Sequence, residues 1–250
     1  MSAVRKFVRW NRRACEWMVR TMPGTFSGAS YLTDLMGIVT ETIERDRPAT
    51  ILEAGGVDRP MLGRGRGYRF IGIDIEKRDD CNHLYDEFIV QSIEDRTPVK
   101  ADMVISTTLM EHVPDNRAAV ASMFHSLTPG GSTHHYIPSG LHPYSIALRL
   151  VGPALQKRLI PVLRPGTEDV TGYPAFFDHC TPAAMERLFR ESGFTDVDVR
   201  PYYRANDYFA FFAPAFVVVS LFENLCRVAR WRVFASGFII NARRPEETHA

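Results

Sequence analysis

Two apolar runs in this sequence end in residues suited to holding a nucleoside. The first, residues 50–56, contains Glu53 and closes on Gly55 and Gly56, and glycines at such a point let the backbone turn sharply and approach a ligand. About twenty residues further on, a second run ends in Asp74, at the spacing from a first strand at which a carboxylate holds a ribose. The two runs together predict a site for a nucleoside-containing ligand.

The segment that follows Gly56 differs from a loop that binds a pyrophosphate. No GxGxxG pattern occurs between Thr50 and Pro60. Three glycines within residues 63–67 make a regular helix costly, by about 1 kcal/mol each relative to alanine. We therefore expect a loop with at most one helical turn from Pro60, and an NAD-dependent dehydrogenase is disfavoured.

The alternation of short apolar runs with helical apolar spacing predicts an α/β fold. We expect a doubly wound, mostly parallel, seven-stranded sheet of the Rossmann-like kind, with helical insertions. The predicted strands are residues 50–56, 68–75, 87–93, 101–106, 132–137, 194–202 and 237–242. Four helices are predicted. Two of them are residues 31–45 and 211–234, and a third runs from Pro182 to Gly193 with Thr181 as its N-cap. The fourth buries Val120, Met123, Phe124 and Leu127 and stops at residues 128–131.

The predicted elements divide the chain into a short N-terminal part and one large domain. Residues 1–30 are expected to form a basic helix and a turn-rich linker, and residues 31–250 the main domain. Two insertions, at about 141–178 and 205–234, interrupt the regular alternation. Insertions of this kind commonly build substrate pockets over the carboxyl edge of a sheet.

Composition excludes several classes of protein. Of the 250 residues 45% are hydrophobic and 24% are charged, which is typical of a globular domain. The net charge of +1 provides no overall field that would recruit nucleic acid, so no nucleic-acid partner is expected. Four scattered cysteines without CxxC spacing favour reduced thiols and a cytoplasmic location. No apolar run reaches the roughly eighteen residues that span a bilayer.

The first twenty residues allow two interpretations. They contain six basic residues against the single acid Glu16, interspersed with apolar residues that include Trp10 and Trp17. A basic helix with tryptophans can lie on an anionic membrane, which would place the protein at the inner membrane as a peripheral protein. The alternative is a surface helix that packs its aromatic residues on the domain or on a second copy in a homodimer.

Five motifs in order resemble the class I S-adenosylmethionine-dependent methyltransferases. The resemblance is to the methyltransferase type 11-like group, which includes glycan and small-molecule O-methyltransferases, and it covers about residues 51–194. The motifs are residues 51–56, 71–74, 109–113, 127–131 and 188–194. The resemblance implies the Rossmann-like methyltransferase fold, enzymatic activity and S-adenosyl-L-methionine as the cofactor.

The resemblance also implies which residues bind that cofactor. They are Glu53, Gly55, Gly56, Asp74, Ile75, Ser92, Ile93, Ser106 and Thr107. The glycine pair would face the methionine part, Asp74 would hold both ribose hydroxyls, and Ser92 stands where many members have an acid that binds the adenine amino group. Glu53 has a second interpretation, as a structural acid that bonds nearby loop amides.

Transfer of a methyl group to a hydroxyl acceptor calls for a base, and histidine has a pKa near neutrality. Three histidines are the catalytic candidates. His112 lies in the motif after strand four, His135 leaves strand five, and His179 belongs to the aromatic segment 173–179. No convincing cluster of carboxylates accompanies them, so we predict no metal ion.

The resemblance favours O-methylation of a sugar or of a glycan-linked or lipid-linked intermediate as the function. One alternative is methylation of a small aromatic or polyketide-like metabolite. Another is a non-catalytic protein that binds S-adenosylmethionine or acts as a scaffold, because Val57 and Arg59 replace glycines of the first motif. The sequence does not identify the acceptor atom.

Overall fold

A seven-stranded sheet organises the fold, with strand order β3-β2-β1-β4-β5-β7-β6. The computed structural model describes residues 3–163 and 173–247. The strands are β1 (Thr50–Ala54), β2 (Arg69–Asp74), β3 (Glu87–Val90), β4 (Ala101–Thr107), β5 (Leu127–Pro138), β6 (Thr195–Tyr202) and β7 (Gly237–Arg243). The predicted α/β fold with a seven-stranded, mostly parallel sheet is confirmed.

The helices precede β1 or lie in the connections between these strands, and no helix separates β1 from β2 or β3 from β4 in the part of the chain that the structure describes. They are α1 (Ala3–Thr21), α2 (Pro23–Phe26), α3 (Tyr31–Asp46), α4 (Cys81–Leu84), α5 (Asn116–Ser126), α6 (Pro143–Val151), α7 (Pro153–Leu163), α8 (Pro182–Glu191) and α9 (Ala213–Val228). Single 3-10 turns occur at Met110–His112, Asn206–Phe209 and Arg232–Phe234. Part of the insertion predicted at 141–178, residues 164–172, lies outside the described residues, as do residues 1–2 and 248–250.

The chain divides into two compact units. The sheet unit comprises residues 30–138, 176–200 and 238–250, and the helical unit comprises residues 1–29, 139–175 and 201–237. In the sheet unit, the side chains of β1 and β4 are almost entirely buried, because helices cover both faces of a parallel sheet. Their near-continuous apolar sequence follows from that position.

The parallel register brings the carboxyl ends of three strands to one edge. Ala54 at the end of β1 pairs with Ile73 of β2 and with Ser106 of β4. The loops after β1, β2 and β4 therefore leave the sheet side by side, at the edge where α/β sheets bind ligands. The loop after β1 contains no helix between residues 55 and 68, as predicted.

Side-chain caps mark the starts of three helices in the sheet unit. The Thr181 hydroxyl accepts a hydrogen bond from the amide of Ala184, and Pro182 occupies the first helical position, as predicted. Asp115 caps α5 by accepting from the amide of Ala118 at 3.0 Å. Ser30 caps α3 in the same way.

The boundary between α5 and β5 was predicted wrongly. The helix ends at Ser126, and Leu127 already pairs with Ala101 of β4, so residues 128–131 belong to the strand. Gly131 lies so close to β4 that a Cβ atom there would stand 3.0 Å from the carbonyl oxygen of Asp102. The strand accommodates the turn residues through a register shift between Ala101 and Met103.

Other boundaries also differ from the prediction. The helix predicted over 211–234 ends at Val228, and Arg230 takes a left-handed conformation with φ 55° before the 3-10 turn Arg232–Phe234. The strand β3 ends at Val90, so Ser92 and Ile93 lie in the following loop. The one-turn helices α2 and α4 were not predicted, since four residues are too few to show a period.

The helical unit has a small apolar core of its own. Cys15, Phe26, Ala210 and Phe216 form it, and the rings of Phe26 and Phe216 stack with centroids 5.6 Å apart. The Asn11 side chain accepts a hydrogen bond from the amide of Ala213 at the start of α9. No helix among the described residues combines the length and the apolar character needed to cross a membrane.

Candidate active site

The glycine pair after β1 is required by the packing of the chain itself. Gly55 has φ +82°, and a Cβ atom there would lie 3.0 Å from the side chain of Leu109. At Gly56 a Cβ atom would lie 2.7 Å from the carboxyl carbon of Glu53 and would collide with the hydroxyl of Tyr85. The two glycines therefore let the chain turn in a crowded place, whatever ligand is bound there.

Glu53 is buried beneath this turn and ties the loop to the sheet. Its Oε1 accepts a hydrogen bond from the amide of Met61 at 2.8 Å, and its Oε2 accepts one from the Tyr85 hydroxyl at 3.3 Å. Burial raises the pKa of Glu53 to about 8, against the lowering effect of these two bonds. The structural role considered for Glu53 is thus present, and contact with a cofactor stays a prediction.

Asp74 lies half-buried at the carboxyl end of β2. Its Oδ1 accepts a hydrogen bond from the amide of Glu76 at 2.8 Å. Burial raises the pKa of Asp74, which the bond to Glu76 partly offsets. The side chain of Ile75 beside it is exposed. Asp74 therefore ends the strand that pairs with β1, and its contact with a ribose stays a prediction.

Ser92 and Ile93 follow β3 at the same edge. The amide of Gln91 donates to the carbonyl oxygen of Asp74, which extends the pairing with β2 one residue past the end of β3. The Ser92 hydroxyl donates to the carboxylate of Glu94 at 2.9 Å, and the side chain of Ile93 is buried in the core of the sheet unit. Their predicted contact with adenine remains a prediction, and Glu94 is an acid in this loop that was not predicted.

Ser106 and Thr107 end β4 and point to opposite sides, as neighbours in a strand do. Ser106 is fully buried, with its hydroxyl 2.7 Å from Nδ1 of His135. The hydroxyl oxygen of Thr107 is buried and has no hydrogen-bond partner among the described residues. A buried polar atom without a partner in a native fold calls for an explanation, and a ligand at the edge would supply one.

His135 lies within the sheet. Its Nε2 is hydrogen-bonded to the hydroxyl of Thr133, so hydroxyl groups occupy both ring nitrogens. Burial lowers the pKa of His135 to about 3, which keeps the ring neutral. An acceptor would have to displace Ser106 or Thr133 to reach it.

His112 and His179 lie on two segments that are bonded to each other. The amides of Phe176 and Phe177 donate to the carbonyl oxygen of Glu111 at 2.8 and 3.1 Å. The Asn116 amide group donates to the carbonyl oxygen of Asp178, and the Asn116 backbone amide donates to its carboxylate at 2.9 Å. The structure thus joins the motif after β4 to the aromatic segment, while His135 stays in the sheet.

Each of these two histidines has an acidic neighbour. Nδ1 of His179 lies 2.8 Å from Oδ1 of Asp178, within hydrogen-bond distance. Nε2 of His112 lies 3.7 Å from Oε1 of Glu111, which is an ion-pair distance only. Burial raises the pKa of Glu111 to about 8, and its Oε2 has no hydrogen-bond partner among the described residues.

Backbone strain is concentrated in the same loops. Seven non-glycine residues of the described chain have positive φ, and four of them are Val57, Thr108, Phe177 and His179. Val57 and Thr108 are β-branched, for which this conformation is a clear outlier. Strain of this kind persists where the surrounding structure enforces it, commonly at functional sites.

Besides Glu94, three residues of this site were not predicted from the sequence. Tyr85 had no motif or spacing to mark it. Glu111 and Asp178 each stand directly before a candidate histidine, and that adjacency was a usable signal. Among residues 3–163 and 173–247, no group of three or more His, Cys, Asp or Glu side chains could hold a metal ion.

A scan of protein-family models finds no match to this sequence, and neither does a search of curated proteins. Solved structures do match. The [4+2]-cyclase SpnF aligns with a TM-score of 0.54 at 16% identity, over 85% of this chain and 80% of its own. The StiE O-MT aligns with a TM-score of 0.52 at 13% identity, over 86% and 75% of the two chains. Phosphoethanolamine N-methyltransferase 2 of Haemonchus contortus, in complex with S-adenosyl-L-methionine, aligns with a TM-score of 0.51 at 12% identity.

The chain has the class I methyltransferase fold. The alignment with the Haemonchus contortus protein includes 98% of this chain but only 61% of the length of that protein. At identities of 12–16% the similarity establishes the methyltransferase fold and assigns no activity. One of these three neighbours is described as a cyclase, so the methyltransferase fold carries more than one chemistry.

Proposed function

We propose that this protein is an S-adenosylmethionine-dependent methyltransferase that acts on a hydroxyl group of a sugar or of a glycan-linked or lipid-linked intermediate. The observation that carries the proposal is the alignment of Gly55, Asp74 and Thr107 at the carboxyl ends of three adjacent parallel strands. This is the edge where open α/β sheets bind nucleosides.

The residues at this edge fit the cofactor in two respects. Asp74 is half-buried one strand away from the glycine turn, where its carboxylate can accept hydrogen bonds from ribose hydroxyls. The unpartnered hydroxyl of Thr107 lies at the end of the strand on the other side of β1. The bound cofactor would supply an electrophilic methyl group on a sulfonium.

His179 is the residue that we propose as the base. With its Nδ1 hydrogen-bonded to Asp178, its Nε2 can take the proton from an acceptor hydroxyl. The amide of Asn116 holds the carboxylate of Asp178 and thereby the orientation of the ring. His112 is the second candidate, because the carboxylate of Glu111 lies 3.7 Å from its Nε2, which is too far for a hydrogen bond. His135 is the third, because both of its ring nitrogens are already hydrogen-bonded within the protein.

One side chain near the proposed base supports an acceptor with an apolar face. The ring of Phe176, three residues before His179, is half exposed and could pack against a sugar or an aromatic acceptor. A small aromatic or polyketide-like acceptor is the alternative that Phe176 would also accommodate.

The experiment has two stages. Calorimetry with S-adenosylmethionine should show binding to the wild-type protein and at least a tenfold loss with Asp74→Asn, because a charged partner of the ribose is removed. A screen with radiolabelled cofactor over nucleotide sugars and lipid-linked glycans should then find a methylated product that is absent with His179→Ala. Labelled aromatic products alone would favour the alternative acceptor.

A non-catalytic scaffold role is the second candidate function, and the packing of the glycine pair favours it. Leu109, Glu53 and Tyr85 account for both glycines without a ligand. In this case calorimetry should detect no binding of S-adenosylmethionine to a folded protein. Binding that Asp74→Asn abolishes would contradict the scaffold role.

A further inference from the structure

The helix α9 turns its apolar side outward. Val218, Leu221, Leu225 and Val228 follow one another at spacings of three and four residues, so they form a single stripe along the helix. These four side chains are 54% to 76% exposed. A helix of a globular protein normally buries such a stripe, and its exposure therefore marks a surface for an interaction.

Polar contacts fix this orientation from the opposite side of α9. Glu223 is buried, with its carboxylate bonded to the amide of Ala205 and 3.3 Å from Nε2 of His142. The hydroxyl of Ser220 is buried and accepts a hydrogen bond from Asn206 at 2.9 Å. Turning the stripe inward would break these bonds and expose the residues that make them, so the outward stripe belongs to the native fold of the unit.

The helix α1 repeats the arrangement. Its side that bears Asn11 and Cys15 contacts the segment 210–213 at the start of α9. Trp10 and Trp17 lie away from that contact and are 68% and 62% exposed, and they form an aromatic stripe with Phe7, which is 51% exposed although its ring stacks on Phe212. Lys6, Arg13 and Arg20 run beside that aromatic stripe at intervals of seven residues, as the helical repeat places them.

Exposed apolar residues are concentrated in the helical unit. Of the twenty-four large hydrophobic side chains that are exposed in the described residues, twenty belong to this unit. They include all three tryptophans of the protein, Trp10, Trp17 and Trp231. Tryptophan is favoured where one side of the ring meets apolar material and the other meets water, as at a membrane interface.

Charge is divided between the two units in a way that the net charge conceals. By sequence, the helical unit has fourteen Lys and Arg against five Asp and Glu, which gives a formal charge of +9. The sheet unit has sixteen against twenty-four, which gives −8. The unit that exposes the tryptophans is therefore also the unit that an anionic surface attracts.

We propose that the helical unit binds an anionic lipid bilayer through the apolar stripe of α9 and the aromatic stripe of α1. The helices lie on the bilayer with their apolar side chains in the interfacial layer, while arginine and lysine side chains contact the lipid headgroups. A bilayer fits better than a second copy of the chain, because two copies would bring two units of charge +9 together. The proposal does not depend on methyl transfer.

The test uses the full-length protein and vesicles of phosphatidylcholine alone or with phosphatidylglycerol. The protein should sediment with the anionic vesicles, release as salt is raised, and shift its tryptophan emission to shorter wavelength, since every tryptophan lies in the helical unit. Brominated lipids should quench that emission. No sedimentation and no quenching with anionic vesicles would overturn the proposal.

Matched variants test the surface itself. The double variant Leu221→Gln, Leu225→Gln should weaken vesicle binding by at least about tenfold, because each leucine contributes the transfer of its side chain out of water. Leu32→Gln in α3 is the control, since Leu32 is 50% exposed and Leu225 is 55% exposed, both on helices. The triple variant Lys6→Glu, Arg13→Glu, Arg20→Glu should weaken the salt-sensitive part of the binding, because it lowers the formal charge of the helical unit from +9 to +3.

Far-UV circular dichroism establishes that each variant is folded. If a variant does not fold, the proposal is tested by the wild-type protein alone, whose tryptophan emission should be quenched by brominated lipids. Equal binding by the leucine double variant and by Leu32→Gln would show that the α9 stripe is not the docking surface. Concentration-dependent dimerisation that the double variant abolishes, without vesicle binding, would show that a second copy is the occupant.

Discussion

Asp178 holds His179 through a contact of 2.8 Å between Oδ1 and Nδ1, and the amide of Asn116 holds Asp178 in turn. Such a chain of hydrogen bonds fixes the tautomer and the orientation of a catalytic imidazole. The neighbouring pair, Glu111 and His112, is longer at 3.7 Å. The two candidate bases therefore differ in how well they are oriented.

Substitution of His179 should impair catalysis more than substitution of His112. We expect His179→Ala to lower kcat by about a hundredfold to ten-thousandfold, since general base catalysis contributes that much, with little change in affinity for S-adenosylmethionine. Asp178→Asn should lower kcat and change its pH profile. The exposed His83 on α4 gives the control His83→Ala, and a larger loss with His112→Ala than with His179→Ala would reverse the assignment.

Gly56 should tolerate no side chain. We expect Gly56→Ala to destabilise the protein by about 1–3 kcal/mol, because the methyl group would be forced against Glu53 and Tyr85. Gly37 in α3 has open space around the position of a Cβ atom, so Gly37→Ala should stabilise by about 0.5–1 kcal/mol. Urea unfolding of both variants measures the difference, and equal effects would contradict the packing described at Gly56.

Two buried glutamates should make the protein less stable as the pH rises. Burial raises the pKa of Glu53 and of Glu111 from an ordinary value near 4.5 to about 8. Between about pH 4.5 and 8 the unfolded chain loses protons that the folded protein retains, so the free energy of unfolding falls with increasing pH. Denaturant unfolding at pH 5 and pH 8 should show this slope, and it should become shallower in Glu53→Gln and in Glu111→Gln. An unchanged slope in both variants would show that these carboxyls are not the source.

Two buried histidines should act in the opposite direction at acid pH. Burial lowers the pKa of His134 to about 4 and that of His135 to about 3, from an ordinary value near 6.5. Below about pH 6.5 these histidines take up protons in the unfolded chain but stay neutral in the folded protein, so the free energy of unfolding falls as the pH falls. Unfolding midpoints between pH 4 and 7 test this, and the acid limb should become less steep in His135→Gln.

Local periodicity was enough to predict most of the fold. The run Ile51–Leu52 and the apolar residues of β4 predicted buried strands, and Thr181 with Pro182 predicted the start of α8. These signals are carried by residues within one element, so they can be read from a single stretch of chain. The position of Asp74 at a strand end follows from the same kind of signal.

Contacts between distant segments decided the remainder. Leu127 has the spacing of a helical residue, but pairing with Ala101 makes it part of a strand. From the sequence, His112, His135 and His179 were equivalent candidates for the base. In the tertiary structure His179 is hydrogen-bonded to Asp178. His135 is instead buried, with hydrogen bonds to Ser106 and Thr133. Likewise the sequence of α9 contains an apolar stripe and a polar one. Buried bonds to Glu223 and Ser220, made by residues far along the chain, determine which of the two faces outward.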